Sequence, residues 1–315
     1  MRLIRFWTAA ALLAFSVNLW AQDDSRAVDR AQYASRQVLP DPTAAPCPNN
    51  PRTLTQIKGN LYRHTTGPST GLHSGLVLIT SEGALVIDPA MTCTATALLD
   101  EIKGRFHVPV KYVVLTHDHF DHMAGSQVFQ QAGAVVIAHQ NALEPIVGEK
   151  LPSAVPDRVF NKQMRLKLGG ETVVLTHVAP SHSDSLVLVS FPSYKAIQCT
   201  DVCGTHRFPF NDLGDFYYDG WIETLDWVIK QNADVIDPGH GSLGTSADQQ
   251  ALKDYMVNLH AQVLSLVRQG EAWDQLYRKI TFTDEQKKWE DYERAHILNT
   301  FGMYRWVTEH RRGVW

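Results

Sequence analysis

Residues 116–122 read Thr-His-Asp-His-Phe-Asp-His, and no other stretch of this chain constrains its fold and chemistry as strongly. Within six positions it holds four side chains of the kinds that bind zinc, namely His117, His119, Asp121 and His122. Imidazole and carboxylate donors suit zinc or iron better than copper(I). Protonated imidazoles this close would repel one another, and neutral ones would still need hydrogen-bond partners. The stretch therefore predicts a metal centre; the alternative is a solvated loop that caps a helix.

The residues on either side set the geometry of this motif. The apolar run 111–116 predicts a buried strand, and on the extended backbone after it His117 and His119 project to the same side. Residues 123–132 predict a helix, so the other two candidate ligands lie at its entry, where the chain turns and they face a second position. Strand, loop and helix in this order predict two adjacent metal sites.

The motif resembles the His-x-His-x-Asp-His signature of the metallo-β-lactamase superfamily. This resemblance implies three more ligands, each at the end of a later strand. Residues of the right kind follow in the expected order: His182 in Pro-Ser-His-Ser, Asp201 after Ala-Ile-Gln-Cys-Thr, and His240 in Pro-Gly-His-Gly. By the same resemblance, one metal ion is bound by His117, His119 and His182, a second by Asp121, His122 and His240, and Asp201 bridges the two.

The resemblance covers about residues 53–270 and implies an α/β fold, the αββα metallo-β-lactamase sandwich, with two mixed β-sheets face to face and helices on the outer faces. The alternation of short apolar runs and helical patterns indicates by itself only a mixed α/β fold.

The clearest helix is 247–269, with apolar residues every three or four positions between a cap at Thr245 or Ser246 and an end at Gly270. The patterns predict strands at 56–64, 76–80, 84–88, 111–116, 134–138, 172–178, 185–190, 195–200 and 234–237, and helices at 94–106, 123–132, 220–231 and 246–269.

The resemblance also implies an enzyme that holds two divalent metal ions, zinc in the first place. It would cleave an acyl substrate, a β-lactam, lactone, ester or thioester, with a metal-bridging hydroxide. Asp121 is the predicted catalytic residue, as a ligand that also orients the hydroxide. Asp201 stands where many zinc β-lactamases have Cys, and an Asp bridge is more typical of the family's wider hydrolases. A phosphodiesterase or an iron redox enzyme stays open. So does a non-catalytic periplasmic metal-binding accessory protein, because Ser181 stands where the family usually has Gly.

Three features near the motif have two interpretations each. Asp88 ends the apolar run 84–88 and either supports a ligand His from behind, as in the family, or caps the turn before a proline. His73 lies either in a substrate flap or in a surface turn. The aromatic stretch 207–221 either walls the substrate cleft or buries most of its rings in the edge of the sandwich.

The composition bounds the possible partners. With 315 residues and a formal net charge of −4, the chain forms one large domain or two small ones, without the basic excess that would indicate nucleic-acid binding. The predicted partner is a small-molecule substrate, and the oligomeric state stays open. Residues 1–21 predict a cleaved signal peptide rather than an uncleaved membrane anchor, because two arginines precede a short apolar stretch. The predicted product is periplasmic or secreted, with no stable membrane insertion.

The rest of the chain divides into three predicted segments. Residues 22–52 are polar and rich in proline, which predicts an extended N-terminal arm. Residues 53–270 form the metallo-β-lactamase-like domain. Residues 271–315 are charged and rich in Trp and Tyr, which predicts a C-terminal helical extension packed on the domain.

The cysteines allow three complete pairings in an exported protein. If residues 199–203 continue as a strand, Cys199 and Cys203 are too far apart to pair. We therefore expect either a buried thiol at Cys199 or a disulfide between Cys93 and Cys203 near the rim of the site. The chain contains Cys47, Cys93, Cys199 and Cys203.

Overall fold

The structure, a computed structural model, describes residues 23–41, 52–67 and 73–310. The predicted signal peptide, residues 1–21, lies outside the described residues, and so does part of the predicted arm, residues 42–51.

Strands and helices alternate along the described part of the chain. The strands are β1 (Arg26–Ala27), β2 (Arg52–Lys58), β3 (Leu61–Thr66), β4 (His73–Thr80), β5 (Gly83–Ile87), β6 (Val110–Val114), β7 (Val135–His139), β8 (Arg158–Phe160), β9 (Gln163–Leu168), β10 (Glu171–Thr176), β11 (Leu188–Phe191), β12 (Ala196–Gln198) and β13 (Val235–Asp237). The α-helices are α1 (Thr92–Phe106), α2 (Phe120–Met123), α3 (Ser126–Gln131), α4 (Leu143–Gly148), α5 (Tyr218–Lys230), α6 (Ser246–Arg268) and α7 (Tyr292–Glu309).

The strands form two mixed sheets. The larger sheet has eight strands in the order β1-β8-β7-β6-β5-β4-β3-β2, and the smaller has five in the order β13-β12-β11-β10-β9. In the larger sheet β5, β6, β7 and β8 pair in parallel, and in the smaller sheet β12 pairs in parallel with β13. Strands that run in parallel end at the same edge of their sheet. The loops after β5 and β6 therefore lie together at one edge of the larger sheet, and those after β12 and β13 lie together at one edge of the smaller sheet.

Strand β4 shows why the two sheets pack face to face. Leu76 and Leu78 belong to the apolar cluster between the sheets, whereas Val77 and Ile79 belong to the cluster on the outer face. All four side chains are buried. Both faces of the strand are therefore covered, which explains a continuous apolar run without polar alternation. The predicted arrangement of two mixed sheets with helices outside is confirmed.

The outer layers consist of helices. Leu98 and Ile102 of α1 pack on the larger sheet, and a second outer cluster joins α5, α6 and α7 to the smaller sheet. Helix α6 confirms the strongest helical prediction, with the stripe through Leu252 and Met256 buried. Thr245 caps α6 in a capping box with Asp248, which satisfies backbone donors that the first helical turn leaves unpaired.

Two hairpins differ from the predictions. The single strand predicted at 56–64 is the hairpin of β2 and β3, because Gly59, with a φ of 54°, reverses the chain. Strand β9 was absent from the predictions, although its residues alternate between buried Met164, Leu166 and Leu168 and more exposed polar side chains. It pairs with β10 and is the edge strand of the smaller sheet.

Segments near both ends of the described part of the chain pack on the sandwich. Strand β1 extends the larger sheet by pairing with β8, and Arg36 donates hydrogen bonds to the carbonyl groups of Ile146, Leu151 and Ser153. Near the other end α7 packs on α6, and the Tyr255 hydroxyl group lies 2.9 Å from Asn299 Oδ1. In the described ranges, the helices are all too short or too polar to cross a membrane.

Candidate metal centre

The seven side chains predicted as metal ligands converge at one edge of the sandwich. Each follows a strand, because the 116–122 loop comes after β6, His182 after β10, Asp201 after β12 and His240 after β13. Four separate stretches of the chain therefore contribute to one site. The structure brings together His117, His119, Asp121, His122, His182, Asp201 and His240.

The first group of potential ligands is His117, His119, His182 and Asp201, whose ligand atoms lie within 4.8 Å of one another. His182 Nε2 lies 3.0 Å from His119 Nδ1 and 3.3 Å from Asp201 Oδ2. His117 Nε2 lies 3.5 Å from the same carboxylate oxygen. Two of the imidazoles thus present Nε2 and one presents Nδ1 to a common point.

The second group surrounds the other side of Asp201. His122 Nε2 lies 3.2 Å from Asp201 Oδ2, and His240 Nε2 lies 3.2 Å from Asp201 Oδ1. The two imidazole nitrogens are 3.1 Å apart, and each lies 3.5 Å from Asp121 Oδ2. Asp201 therefore contacts both groups, as a bridging carboxylate would.

Unpaired atoms at this site match what a cation requires. His117 Nε2 and Asp201 Oδ1 are buried and form no hydrogen bond of good geometry with the described residues, although other potential ligand atoms lie 3.2–3.5 Å away. A buried polar atom without a partner costs about 1–3 kcal/mol. Imidazole nitrogens and carboxylate oxygens are good ligands for zinc or iron. The residues present therefore fit two divalent metal ions.

Buried charges shape the titration of the site. Burial and the neighbouring His119 hold the pKa of His117 well below its ordinary value. Burial opposes a charge on His122, yet the carboxylate of Asp201 raises the pKa of His122 well above the ordinary value. At His240, Asp201 likewise outweighs burial and raises the pKa to about 9. In the absence of a metal ion, protons on His122 and His240 therefore balance the carboxylates of Asp201 and Asp121.

Asp88 lies directly behind the ligands. Its carboxylate accepts hydrogen bonds from Thr116 N and Oγ1 and from Thr200 Oγ1, at 2.7–2.8 Å, and it lies 3.6 Å from His122 Nδ1. Because the Thr116 hydroxyl group donates to Asp88, it can accept only from His117 Nδ1, 3.0 Å away. That tautomer leaves His117 Nε2 free for a metal ion. Asp88 therefore supports the ligands, as the first of its two interpretations proposed.

The turn that carries Asp201 corrects the cysteine prediction. Strand β12 ends at Gln198, and Asp201 has a φ of 62°, so the chain reverses instead of continuing as a strand. The Cα atoms of Cys199 and Cys203 are consequently 5.6 Å apart, and the two residues form a disulfide. The expected pair between Cys93 and Cys203 and the expected buried thiol at Cys199 were both wrong.

His240 depends on the glycine that precedes it. Gly239 has a φ of 80°, and a Cβ atom there would lie 2.6 Å from Thr200 Cγ2. Below this loop, Asp237 is fully buried and forms an ion pair with Arg63 at 3.0 Å. The Gly239 amide also donates to Asp237 at 3.1 Å. Both the close backbone approach and the buried ion pair hold His240 towards the site.

Ser181 is compatible with the turn that presents His182. The described residues with positive φ do not include Ser181, so the turn does not require glycine at this position. Beside it, the hydroxyl groups of Ser183 and Ser185 donate to Asp118 Oδ1 at 2.6 and 2.5 Å. These bonds tie the His182 turn to the loop that carries the motif.

Two residues near the ligands were not predicted to take part. His73 Nε2 lies 3.1 Å from Asp121 Oδ2. The side chain for which the sequence allowed a substrate flap or a surface turn therefore contacts the second group of potential ligands. Asp215 Oδ2 lies 3.0 Å from His119 Nε2. Neither residue belongs to a local pattern of potential ligands, and only the folded chain brings them to the site.

A cavity of about 380 Å³ opens beside the first group of ligands. Phe216 and Tyr217 line it, whereas Phe208 and Trp221 of the same aromatic stretch are buried in the sandwich edge. Part of that stretch thus lines a cavity and part is buried in the sandwich edge, and substrate binding in the cavity stays a prediction. The cavity is lined by Asp118, His119, Ser183, Asp184, residues 213–217, and Gly302, Arg305, Trp306, Glu309 and His310 of the C-terminal helix and its end.

The family assignment follows from this fold and site. The family model described as the metallo-beta-lactamase superfamily matches residues 70–240, more than half of the chain. The chain therefore belongs to the metallo-β-lactamase superfamily.

Curated relatives and solved structures agree with this assignment. The metallo-beta-lactamase type 2 of Bacillus cereus is 27% identical over 202 residues, which are 61% of this chain and 77% of that protein. The metallo-beta-lactamase IND-1 of Chryseobacterium indologenes is 26% identical over 194 residues, 58% of this chain and 80% of the relative. A metallo-beta-lactamase structure from Pontibacter korlensis has a TM-score of 0.60 at 23% identity, covering 66% of this chain and 100% of the other. The last likeness confirms the αββα sandwich.

Proposed function

We propose that this protein is a hydrolase that uses two divalent metal ions, zinc in the first place, to cleave an acyl substrate. The observation that carries the proposal is the convergence of four strand ends on Asp201, whose two carboxylate oxygens each lie 3.2 Å from an imidazole nitrogen of the second group. The metallo-β-lactamase relatives support hydrolysis as the reaction class.

The site residues have distinct parts in this reaction. His117, His119 and His182 would hold one cation and Asp121, His122 and His240 the other, with Asp201 between the two groups. Bound there, two divalent cations would lower the pKa of a water molecule and polarise the scissile carbonyl group. Asp121 orients the attacking water by accepting its hydrogen bond. The buried Asp88 and Thr116 keep the imidazole of His117 in the tautomer that leaves Nε2 free.

The negative charge of the adjoining cavity favours neutral or cationic acyl substrates and disfavours anionic ones. Asp118, Asp184, Asp215 and Glu309 contribute carboxylates to its lining. Arg305 also lines the cavity, but its guanidinium group pairs with Asp212 at 2.9 Å. A substrate carboxylate would therefore meet like charges, whereas a neutral ester, thioester or lactone would not.

Export is part of the proposal. The arginines and apolar stretch of residues 1–21 favour a signal peptide, and the Cys199–Cys203 disulfide suits an oxidising compartment outside the cytosol. Cell fractionation and the N-terminal sequence of the mature protein test this. Full-length protein found only in the cytosol would contradict it.

The central experiment is a substrate panel on protein of measured metal content. We expect two equivalents of zinc and hydrolysis of a neutral nitrophenyl ester, a lactone or a thioester. A chelator should abolish this activity, and added zinc should restore it. A chromogenic β-lactam and a bis-nitrophenyl phosphate complete the panel. The control variant is Asp201→Asn, which should lose activity because it removes the bridging charge.

The alternative functions give different results in the same experiment. A phosphodiesterase would cleave the phosphate diester and leave the acyl substrates intact. An iron redox enzyme would contain iron by elemental analysis. A non-catalytic metal-binding protein would bind metal and turn over none of the substrates. Each of these outcomes would overturn the acyl hydrolase assignment.

A further inference from the structure

His73 packs against the second group of ligands. It begins β4, and its side chain is only 12% exposed. Its ring centroid lies 5.0 Å from that of His240 and 5.7 Å from that of His122. These separations resemble those between imidazoles within the first group, where His119 and His182 are 4.7 Å apart.

The ligand atoms of His73 also have the spacing of a shared coordination sphere. One atom each of His73, Asp121 and His240 lies within 4.8 Å of the others. Ligand atoms at 2.0–2.1 Å from one cation are about 2.9–3.4 Å apart when the angles are tetrahedral or octahedral. His73 Nε2 lies 3.1 Å from Asp121 Oδ2, within that range.

The remaining contacts of His73 give its ring no other role. His73 Nδ1 is buried and has no hydrogen-bond partner among the described residues. The polar contact recorded for His73 is with Asp121, and this contact directs the ring to the metal centre.

We propose that His73 is an additional ligand of the second metal ion, beside Asp121, His122, His240 and the bridging Asp201. This inference rests on the proposed dinuclear site. It makes the second ion richer in protein ligands than the first. The cavity reaches His119 of the first group, so a substrate would approach from the side of the first ion.

The competing explanation is that His73 only donates a hydrogen bond to Asp121. Glutamine separates the two explanations, because its amide group can donate a similar hydrogen bond but is a poor zinc ligand. The variants are therefore His73→Gln and His73→Ala. The control is His260→Gln, in which the altered ring is half-buried on α6 and stacks on Tyr218 at 4.3 Å.

The experiment measures metal binding directly. Metal-free proteins are titrated with zinc against a chromophoric chelator, and with cobalt while the visible absorption bands are recorded. We expect two ions in the wild type and in His260→Gln. In both His73 variants we expect the first ion to bind normally and the second to bind about tenfold or more weakly, with altered absorption bands at the second equivalent of cobalt. Unchanged circular dichroism of the metal-free variants checks that they fold.

The possible failures are distinguishable. If His73→Gln binds the second ion as tightly as the wild type, with the same cobalt spectrum, His73 is only a hydrogen-bond partner and the inference is overturned while the proposed function stands. If the wild type binds fewer than two ions, the proposed dinuclear site and the inference are both wrong.

Discussion

Cys199 and Cys203 are joined across a single turn, and Asp201, the residue that contacts both groups of ligands, lies at the middle of that turn. Asp201 has a φ of 62°, a backbone conformation that residues other than glycine adopt at a cost. The disulfide therefore restrains a strained residue in the position that the proposed bridge requires.

Replacing both cysteines should loosen this turn. For the variant Cys199→Ala/Cys203→Ala we expect a loss of about 2 kcal/mol in the free energy of unfolding, the value for closing so short a loop. We also expect weaker zinc binding, because Asp201 is no longer held in place. Urea unfolding and zinc titration measure the two effects. Zinc affinity equal to that of the wild type would show that the turn needs no disulfide.

Removing one partner of the buried ion pair between Arg63 and Asp237 should lower the free energy of unfolding strongly. Asp237 is fully buried, so Arg63→Met leaves an unpaired charge and should cost about 3–5 kcal/mol in urea unfolding. Adding Asp237→Asn to that variant should recover part of the loss. The matched control is Arg30→Met, which breaks a more exposed pair with Asp157 and should cost at most about 1 kcal/mol. Equal losses in the two single variants would contradict this prediction.

Zinc affinity should rise with pH. In the metal-free protein the pKa of His240 is raised to about 9 and that of His122 is well above its ordinary value, so protons compete with the second metal ion for these imidazoles at neutral pH. The second metal ion must displace them, so the logarithm of its affinity should increase by about one to two units per pH unit between pH 6 and 8. Zinc titration in buffers of different ionisation enthalpy counts the protons released. His240→Asn should release about one fewer, and a pH-independent affinity would contradict the charge balance.

The raised pKa values of His122 and His240 also predict that the stability of the metal-free protein falls as the pH rises. Because folding raises the pKa values of His122 and His240, their contribution is complete below the ordinary pKa of histidine, about 6.5. It is lost as the pH rises through about 9, where His240 gives up its proton. Urea unfolding of the chelator-treated protein should therefore show lower stability at pH 9.5 than at pH 6.5. Equal stability at the two values would contradict this assignment of charge.

Asp215 should strengthen metal binding through His119. Its carboxylate lies 3.0 Å from His119 Nε2, opposite the Nδ1 atom that faces the site. Because partners of this kind orient and polarise a ligand, Asp215→Ala should weaken zinc binding about tenfold. Asp219→Ala, which removes an exposed carboxylate on α5, is the matched control and should have no effect. An equal change in both variants would indicate a general effect of surface charge.

The elements that the sequence predicted well are those with strong local patterns. The helix 246–269 was predicted within a residue or two because its apolar spacing, its cap at Thr245 and Gly270 all act within the segment itself. The hairpin at Gly59 was missed although Gly59-Asn60, the two residues between the strands, are typical of a hairpin turn. Strand 163–168 was missed although its alternation of buried and exposed residues was present.

The sequence by itself determined the densest part of the candidate metal centre and the order of the later potential ligands. Each of them lies beside a strand end, and spacing along the chain controls which way its side chain points. Only the tertiary structure decided that His73 contacts Asp121, that Asp215 contacts His119, and that Cys199 pairs with Cys203. The first two contacts join residues that are far apart in the chain. The third depends on one backbone reversal at Asp201. Such contacts depend on how loops and layers pack against one another in the folded chain, and local residue patterns do not specify this packing.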